Sequence, residues 1–285
     1  MLSRRHLIAA APLLGLAGRA RAADAPVRFA VGPFQPTAGD TKRAYEPFFA
    51  YLANALGRPY ELTVTTDWAG IAVALANGQV DCAWMGPWGY VLAKDRSGAE
   101  ALATVEYNGK PTYNAVIIAR PDLKIEHFPE DARGLSISFA DAGSTSGWLI
   151  PNWWFLTHGI DVKTYFKYRD GASHPANDIA VATGQVDLAT DYDRNLQAMI
   201  EAGRVKADQV RVVWTSDPLP NDALAVRRDL DPAVKRAILD AALKIDAAQA
   251  VAILPAHYTG WVAARPDSYA DIEAAGRVLH KLQGS

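Results

Sequence analysis

The chain has 285 residues, half of them hydrophobic, and a formal net charge of −2 at pH 7. This near-neutral charge argues against nucleic acid or an anionic membrane surface as a partner. An anionic ligand would therefore have to be captured by local geometry, because no basic field attracts it. Cys82 is the only cysteine, which excludes an internal disulfide. The length suits two lobes of roughly 100–150 residues each.

The N-terminus has the pattern of a bacterial export signal. Arg4 and Arg5 form a twin-arginine pair, an apolar stretch covers residues 7–17, and residues 20–22 read A-R-A, a cleavage-site pattern. The apolar stretch is too short to span a bilayer. We therefore expect residues 1–22 to be removed and the mature protein to be soluble and periplasmic, without a lipid anchor.

Apolar runs with the length of strands alternate with helical patterns along the rest of the chain. This alternation predicts an α/β fold with mostly parallel sheets flanked by helices. Ligands of such sheets bind at the carboxyl ends of the strands, and two sheets facing each other across these ends would form a cleft. We expect a first lobe over residues 26–120, a second over 121–210, and a return to the first lobe over 211–285. The strands are predicted at residues 27–31, 60–65, 80–84, 113–119, 135–139, 188–190, 210–214 and 224–226, with helices between them, for example at 47–56 and 232–247.

A short internal repeat favours two similar lobes. Residues 76–83 read A-N-G-Q-V-D-C-A, and residues 182–189 read A-T-G-Q-V-D-L-A. Each copy ends a helical pattern, has a glycine suited to a helix C-cap and begins a short apolar strand. We interpret the two copies as one helix–glycine–strand unit used in both lobes. Chance similarity is the alternative, because the match is short.

A run of hydroxyls between two glycines marks a candidate anion site. Residues 141–147 read D-A-G-S-T-S-G and join a predicted strand to a predicted helix. The first N–H groups of a helix have no intrahelical partner, and the helix dipole adds partial positive charge there. Small residues let an oxyanion approach the backbone, and the hydroxyls of Ser144, Thr145 and Ser146 add donors. The alternative is an ordinary Ser/Thr N-cap.

The order and spacing of several motifs resemble the substrate-binding proteins of phosphonate, phosphite and phosphate ABC importers. Each motif is weak alone, but together they extend over nearly the whole chain after the export signal. The resemblance implies a two-lobed, type II-like periplasmic binding protein that closes on a ligand between its lobes. The matching motifs are T-D-W-A-G at residues 66–70, D-C-A-W-M-G-P at 81–87, S-T-S-G at 144–147, S-H at 173–174, A-V-A-T-G-Q-V-D at 180–187 and P-N-D at 220–222.

The resemblance also implies roles for the polar residues of these motifs. The hydroxyls of residues 144–146 would donate to phosphoryl oxygens, and His174 would donate a further hydrogen bond. Asp222 would accept one from a protonated P–OH group. The alternatives are a capping role for His174 at the helix predicted from Pro175, and a turn role for Asp222 after Pro220.

The same resemblance assigns apolar contacts and partners. Trp68 would pack against the apolar side of the ligand, although a core position is the alternative. Met85 occupies a position that is often aromatic in the family. The expected partners are a small phosphorus oxyanion, most of all a phosphonate, and the membrane permease of an ABC importer. We expect a monomer without a metal or other cofactor and without catalysis.

One position departs from the family pattern. In aminoethylphosphonate binders an acidic residue after the second Val-Asp strand pairs with the ligand's amine, and here Arg194 aligns with that acid. Asp191 or Asp193 could take over the role, or the ligand could lack an amine. Arg194 would hold a carboxylate in a bidentate pair if it pointed into the cleft, and otherwise would face solvent.

Three other functions are weighed against this interpretation. A serine hydrolase would use Ser144, His174 and Asp222, but the nucleophile elbow is G-x-S-x-G, and the central residue here is Thr145. A metal receptor is disfavoured because the histidines lack ligand spacing. The same binding fold could instead deliver its ligand signal to a membrane sensor kinase.

Overall fold

The computed structural model describes residues 25–283, which form two α/β lobes. The predicted export signal at residues 1–22 lies outside the described residues. The strands are β1 (Val27–Val31), β2 (Tyr60–Val64), β3 (Cys82–Met85), β4 (Glu100–Tyr107), β5 (Thr112–Tyr113), β6 (Ala115–Ala119), β7 (Ser136–Ala140), β8 (Lys167–Ala172), β9 (Leu188–Tyr192), β10 (Arg211–Thr215), β11 (Leu219–Pro220), β12 (Ala223–Val226) and β13 (Tyr258–Ala263). The α-helices are α1 (Ala38–Leu56), α2 (Trp68–Ala76), α3 (Pro87–Ser97), α4 (Ile150–Thr157), α5 (Val162–Tyr165), α6 (His174–Ala182), α7 (Asp193–Glu201), α8 (Pro232–Leu243), α9 (Ala247–Ile253) and α10 (Ala270–Val278).

The two sheets are mixed, so the expectation of mostly parallel sheets was wrong. The first sheet has the order β13-β4-β12-β3-β1-β2, and the second has the order β10-β6-β9-β7-β8. The central strands β1 and β7 each pair in parallel with both neighbours. Strand β6 is antiparallel to β9, and β12 is antiparallel to β3. Both strands start where the chain arrives from the other lobe, so they run away from the cleft while β3 and β9 run towards it.

The second lobe extends beyond the predicted residues 121–210 at both ends. Its sheet includes β6, which was expected in the first lobe, and β10, which was expected in the return segment. The chain crosses between the lobes at β5 and β11, which pair with each other in antiparallel fashion. Next to this pair, the Asn114 side chain donates to the Ser216 carbonyl at 2.8 Å. In residues 25–283, these two crossing segments form the short, paired connection between the two sheets.

The repeated unit has the same local structure in both lobes. In the first lobe it is α2 followed by β3, and in the second it is α6 followed by β9. Asp81 accepts from the Arg28 N–H at the start of β1 at 2.9 Å. Asp187 accepts from the Ser136 N–H at the start of β7 at the same distance. Each copy therefore fastens its turn to the central strand of its own sheet through the repeated aspartate.

The core of the first lobe lies on both faces of its sheet. Side chains alternate along β1, so Phe29 packs on the face covered by α1, and Ala30 packs on the face covered by α2 and α3. Trp84 is fully buried and lies edge-on to Phe48, with ring centroids 5.2 Å apart. This aromatic packing fixes the direction of the Trp84 indole, whose Nε1 reaches the cleft. In residues 25–283, no helix combines the length and apolar character that crossing a membrane requires.

Candidate functional site

A small pocket lies between the lobes, at the cleft ends of β3, β7, β9 and β12. Its cavity volume is only about 20 Å³, so its lining side chains lie close together. Side chains from both lobes line it, so a ligand bound here would contact both lobes. The lining residues are Phe34, Trp68, Gly86, Tyr113, Ser144, Thr145, Ser146, His174, Tyr192, Arg194 and Asp222.

The hydroxyl run follows β7 and forms the first turn of a helix. Ser144 is the N-cap, and its Oγ accepts from the Gly147 N–H at 3.1 Å. Residues 145–149 form a π-helical turn that continues directly into α4. Ser144, Thr145 and Ser146 are almost fully buried and all line the pocket. Ser144 therefore fits both predictions from the sequence, because it caps the helix and also faces the pocket.

The glycines beside the hydroxyls allow close approach to neighbouring groups. A Cβ on Gly143 would lie 2.3 Å from the Ala69 nitrogen, and one on Gly147 would lie 2.4 Å from the Ala140 Cβ and 2.6 Å from the His174 ring. No real Cβ tolerates such distances. The glycines thus let the loop press against α2 of the other lobe and against His174 of its own lobe.

Hydrogen bonds join the loop to the first lobe. The Trp68 N–H donates to Asp141 Oδ1 at 3.2 Å, and the Trp88 N–H donates to Thr145 Oγ1 at 2.8 Å. Both donors are first-turn N–H groups of helices, which have no partner within their own helix. The structure therefore shows the lobes closed upon each other across the pocket.

His174 connects the pocket to a buried acidic pair. Its Nε2 lies 2.8 Å from Ser144 Oγ, and its Nδ1 lies 3.0 Å from Asp191 Oδ1 without the alignment of a hydrogen bond. Burial lowers the pKa of His174 to about 4, so the imidazole is neutral. Burial raises the pKa of both Asp178 and Asp191. The charge of Asp191 adds to the rise at Asp178, whereas the hydrogen bond with Asp178 opposes the rise at Asp191. Asn195 donates to both carboxyl groups.

Asp191 and Asp193 lie outside the pocket lining. Asp191 is completely buried behind His174. Asp193 accepts from the N–H of Asn114, next to the crossing segments. Neither carboxylate is positioned by this structure to meet a ligand's amine, which was one expectation from the sequence.

Asp222 and Arg194 face each other across the pocket from opposite lobes. The Trp84 Nε1–H donates to Asp222 Oδ2 at 3.4 Å, and Arg194 Nη2 lies 3.6 Å from the same oxygen. Burial raises the pKa of Asp222, and the charge of Arg194 opposes this rise. Arg194 is only 6% exposed. Of the two orientations considered from the sequence, the structure has the one that points into the cleft.

The apolar candidates divide between the pocket and the core. Trp68 lines the pocket and lies edge-on to Phe34, with ring centroids 4.8 Å apart. Met85 is fully buried, and its Cε packs 3.1 Å from the position that a Cβ on Gly89 would take. Met85 is therefore a core residue in this structure, and Gly86 lines the pocket in its place.

Three aromatic lining residues were missed from the sequence. Phe34 follows β1, Tyr113 ends β5 and Tyr192 ends β9. A usable signal existed, because each follows or ends a strand at the cleft, where the sequence analysis expected ligands. For metals, the part of the chain that the structure describes contains no group of three or more His, Cys, Asp or Glu side chains placed to hold an ion.

Comparison with known proteins points to one family. Residues 29–269 match the family model described as the periplasmic substrate-binding protein of phosphonate ABC transporters. The phosphonates-binding periplasmic protein of Escherichia coli is 30% identical over 70% of this chain. A phosphate-import protein of Mycolicibacterium smegmatis is 30% identical over 68% of this chain. The matched segments span 60% and 64% of these two relatives.

Solved structures share the fold. A binding protein component of an ABC phosphonate transporter from Pseudomonas aeruginosa is 29% identical, with a TM-score of 0.81 over 90% of this chain and 87% of that chain. A protein from Prochlorococcus marinus, solved in complex with methylphosphonate, is 17% identical, with a TM-score of 0.80 over 90% of this chain and 98% of that chain. The predicted two-lobed fold and the predicted resemblance are both confirmed. The chain belongs to the family of periplasmic substrate-binding proteins of phosphonate ABC transporters.

Proposed function

We propose that this protein is the solute-binding component of an ABC importer and that it binds a small phosphorus oxyanion in the pocket between its lobes. The observation that carries the proposal is that hydrogen-bond donors and a hydrogen-bond acceptor line the same small pocket. Donor hydroxyls of Ser144, Thr145 and Ser146 stand on the second lobe, and the acceptor Asp222 stands on the first. A ligand that satisfies both must carry bare oxygens and a protonated oxygen at once.

A phosphorus oxyanion has this combination near neutral pH. A singly protonated phosphonate or phosphate offers unprotonated oxygens to the hydroxyls and a P–OH proton to the carboxylate. Sulfate carries no proton at this pH, so its oxygens would meet the lone pairs of Asp222 in a buried site. We propose a phosphonate as the ligand, with phosphite and phosphate as smaller members of the same class.

The proposed mechanism is closure of the cleft by bending at β5 and β11. Bonds between the lobes, such as Trp88 N–H to Thr145 Oγ1, form as the pocket closes. The closed form is then presented to a membrane permease. The protein acts as a monomer in the periplasm, to which the export signal at residues 1–22 directs it.

A thermal-shift panel of methylphosphonate, phosphite, phosphate and sulfate tests the proposal. A ligand present at one hundred times its Kd stabilises a protein by about 2.7 kcal/mol, which raises the Tm by several degrees. We expect such a rise with at least one phosphorus oxyanion and no rise with sulfate. A rise with sulfate alone, or with none of the four, would overturn the proposal.

A hydrolase is the second candidate because Ser144, His174 and Asp191 form a chain of contacts. We propose binding without catalysis for two reasons. His174 is not aligned with Asp191 for a hydrogen bond, and Ser144 Oγ already accepts from the Gly147 N–H. Asp222, the acid expected in a triad, contacts Trp84 and Arg194 instead. Turnover of nitrophenyl esters or phosphonate esters, lost in Ser144→Ala, would favour the hydrolase.

A further inference from the structure

A guanidinium fills a cage of tyrosine rings at one end of the pocket. The Cζ of Arg194 lies 4.7 Å from the ring centroid of Tyr113 and 5.2 Å from that of Tyr107. It lies 5.5 Å from the centroids of both Tyr192 and Tyr258. The faces of aromatic rings attract a cation within about 6 Å. The cage thus has the composition of a cation-binding site, and the cation that occupies it is the Arg194 side chain.

The guanidinium keeps donors available inside this cage. Its Nε and Nη1 are buried and have no hydrogen-bond partner, and Nη2 has Asp222 Oδ2 at 3.6 Å. Burial alone would lower the pKa of Arg194, but Tyr258 and Asp222 raise it above its ordinary value. Arg194 is therefore a permanent cation whose N–H groups can still bind an anion.

Arg194 also forms the wall between two cavities. It lines the small pocket together with Phe34 and Tyr192, and the same three residues line a neighbouring cavity of about 500 Å³. The hydroxyl run and His174 line only the small pocket. A substituent that points from the bound phosphorus towards the larger cavity would therefore meet Arg194 and its tyrosine cage.

We propose that Arg194 determines specificity by supplying the cation that the tyrosine cage and Asp222 stabilise. The site then takes a phosphorus oxyanion with a small, uncharged substituent and rejects one that carries an ammonium group. This inference rests on the proposed function and deepens it. An alkylammonium group would otherwise suit the cage, since aromatic faces beside a carboxylate are the chemistry that binds one. With the guanidinium in place, a second cation is repelled at short range in a buried site.

Two ligands of nearly equal size distinguish the effect of the substituent's charge from the effect of its shape. Ethylphosphonate and aminomethylphosphonate differ by a terminal methyl in place of an ammonium group. Methylphosphonate serves as the smaller reference, and each Kd is measured by calorimetry at one pH and one ionic strength. We expect the wild type to bind ethylphosphonate at least tenfold more tightly than aminomethylphosphonate.

Two substitutions separate the guanidinium's charge from its volume. Arg194→Ala empties the cage, and we expect it to weaken ethylphosphonate binding at least tenfold and to narrow or reverse the preference against aminomethylphosphonate. Arg194→Met removes the charge but keeps an apolar chain in the cage. It should therefore weaken the binding of both ligands, and the ammonium group of aminomethylphosphonate should still be unable to enter the cage. Arg204→Ala is the matched control, because Arg204 is exposed and lines only the larger cavity. It should change no Kd.

The wild type alone can overturn the inference, so the result does not depend on whether a variant folds. Equal or tighter binding of aminomethylphosphonate by the wild type would show that Arg194 does not exclude a cation. Binding of methylphosphonate alone, with both larger ligands excluded by the wild type and by Arg194→Ala, would also overturn it, because another group would then limit the site. If phosphite or phosphate binds but no phosphonate does, this inference fails and the proposed function stands. If no phosphorus oxyanion binds, both fail.

Discussion

At the scale of single residues, the pocket is lined by side chains that also make structural contacts. Ser144 caps a helix and contacts His174, and Thr145 joins the lobes through the Trp88 N–H. The residue types were predictable from the sequence, but their orientation was not. Side chains alternate along a strand, so Tyr192 at the end of β9 faces the pocket while Asp191 lies beneath it.

Removing one hydroxyl should reduce affinity without unfolding the protein. A hydrogen bond to a charged group contributes about 1.5–3 kcal/mol, so Ser146→Ala should weaken phosphonate binding about tenfold to a hundredfold, as measured by calorimetry. Ser144→Ala should weaken binding similarly and also lose about 1 kcal/mol of stability with its N-cap.

A cap outside the pocket separates these two effects. Thr37 caps α1 by accepting from the Asp40 N–H at 3.1 Å, and it does not line the pocket. Thr37→Ala should lose similar stability and keep its affinity. Unchanged phosphonate affinity in both Ser144→Ala and Ser146→Ala would show that this loop does not bind the anion.

Asp222 should discriminate between oxyanions. We expect its carboxylate to accept a hydrogen bond from a ligand that still carries a proton and to repel a fully ionised one. Asp222→Asn replaces one acceptor oxygen by an N–H donor, so it should weaken phosphonate binding and strengthen sulfate binding. We expect the ratio of the two Kd values to fall at least tenfold, which is about 1.4 kcal/mol. Sulfate binding as tight as phosphonate binding in the wild type would contradict this role.

At the scale of elements, the sequence predicted the units but not all of their directions. The helix–glycine–strand repeat of α2–β3 and α6–β9 was readable because both copies keep the aspartate that fastens the turn to the central strand. The antiparallel directions of β6 and β12 were not readable. Local patterns report whether a segment is a strand, whereas direction depends on where the chain crosses between lobes.

The buried acidic pair between α6 and β9 should make stability depend on pH. Burial raises the pKa of the Asp191 carboxyl to about 7, above its ordinary value of 3.8. The folded state therefore keeps a proton that the unfolded state releases. The contribution of this group to stability is complete below about pH 4 and is lost as the pH rises through about 7.

Asp191→Asn removes this titration and keeps an amide of similar shape. Between pH 4 and 7, the free energy of unfolding of the wild type should fall relative to that of the variant by up to about 1.4 kcal/mol per pH unit. Urea unfolding at several pH values measures this slope. Asp208→Asn, at an exposed position, should follow the wild type. Parallel profiles for the wild type and Asp191→Asn would show that the carboxyl is ionised in the folded protein.

At the scale of the whole molecule, the function depends on two lobes that complete one site. Donor hydroxyls, His174 and Arg194 come from the second lobe, and Asp222 and Trp68 come from the first. The two-lobed fold was predictable from the alternation of strands and helices and from the family resemblance. The guanidinium in its tyrosine cage was not, because Tyr107, Tyr113, Tyr192 and Tyr258 come from four different strands, and strand patterns do not show which side chains surround Arg194.

The most direct test of the account is a calorimetric titration of the mature wild-type protein with methylphosphonate, with sulfate titrated under identical conditions. We expect saturable binding of one methylphosphonate per protein and no measurable heat of binding for sulfate. The physical reason is that only the phosphonate supplies both the bare oxygens that the hydroxyls bind and the proton that Asp222 accepts. Saturable binding of sulfate without binding of methylphosphonate, or binding of neither, would contradict the account.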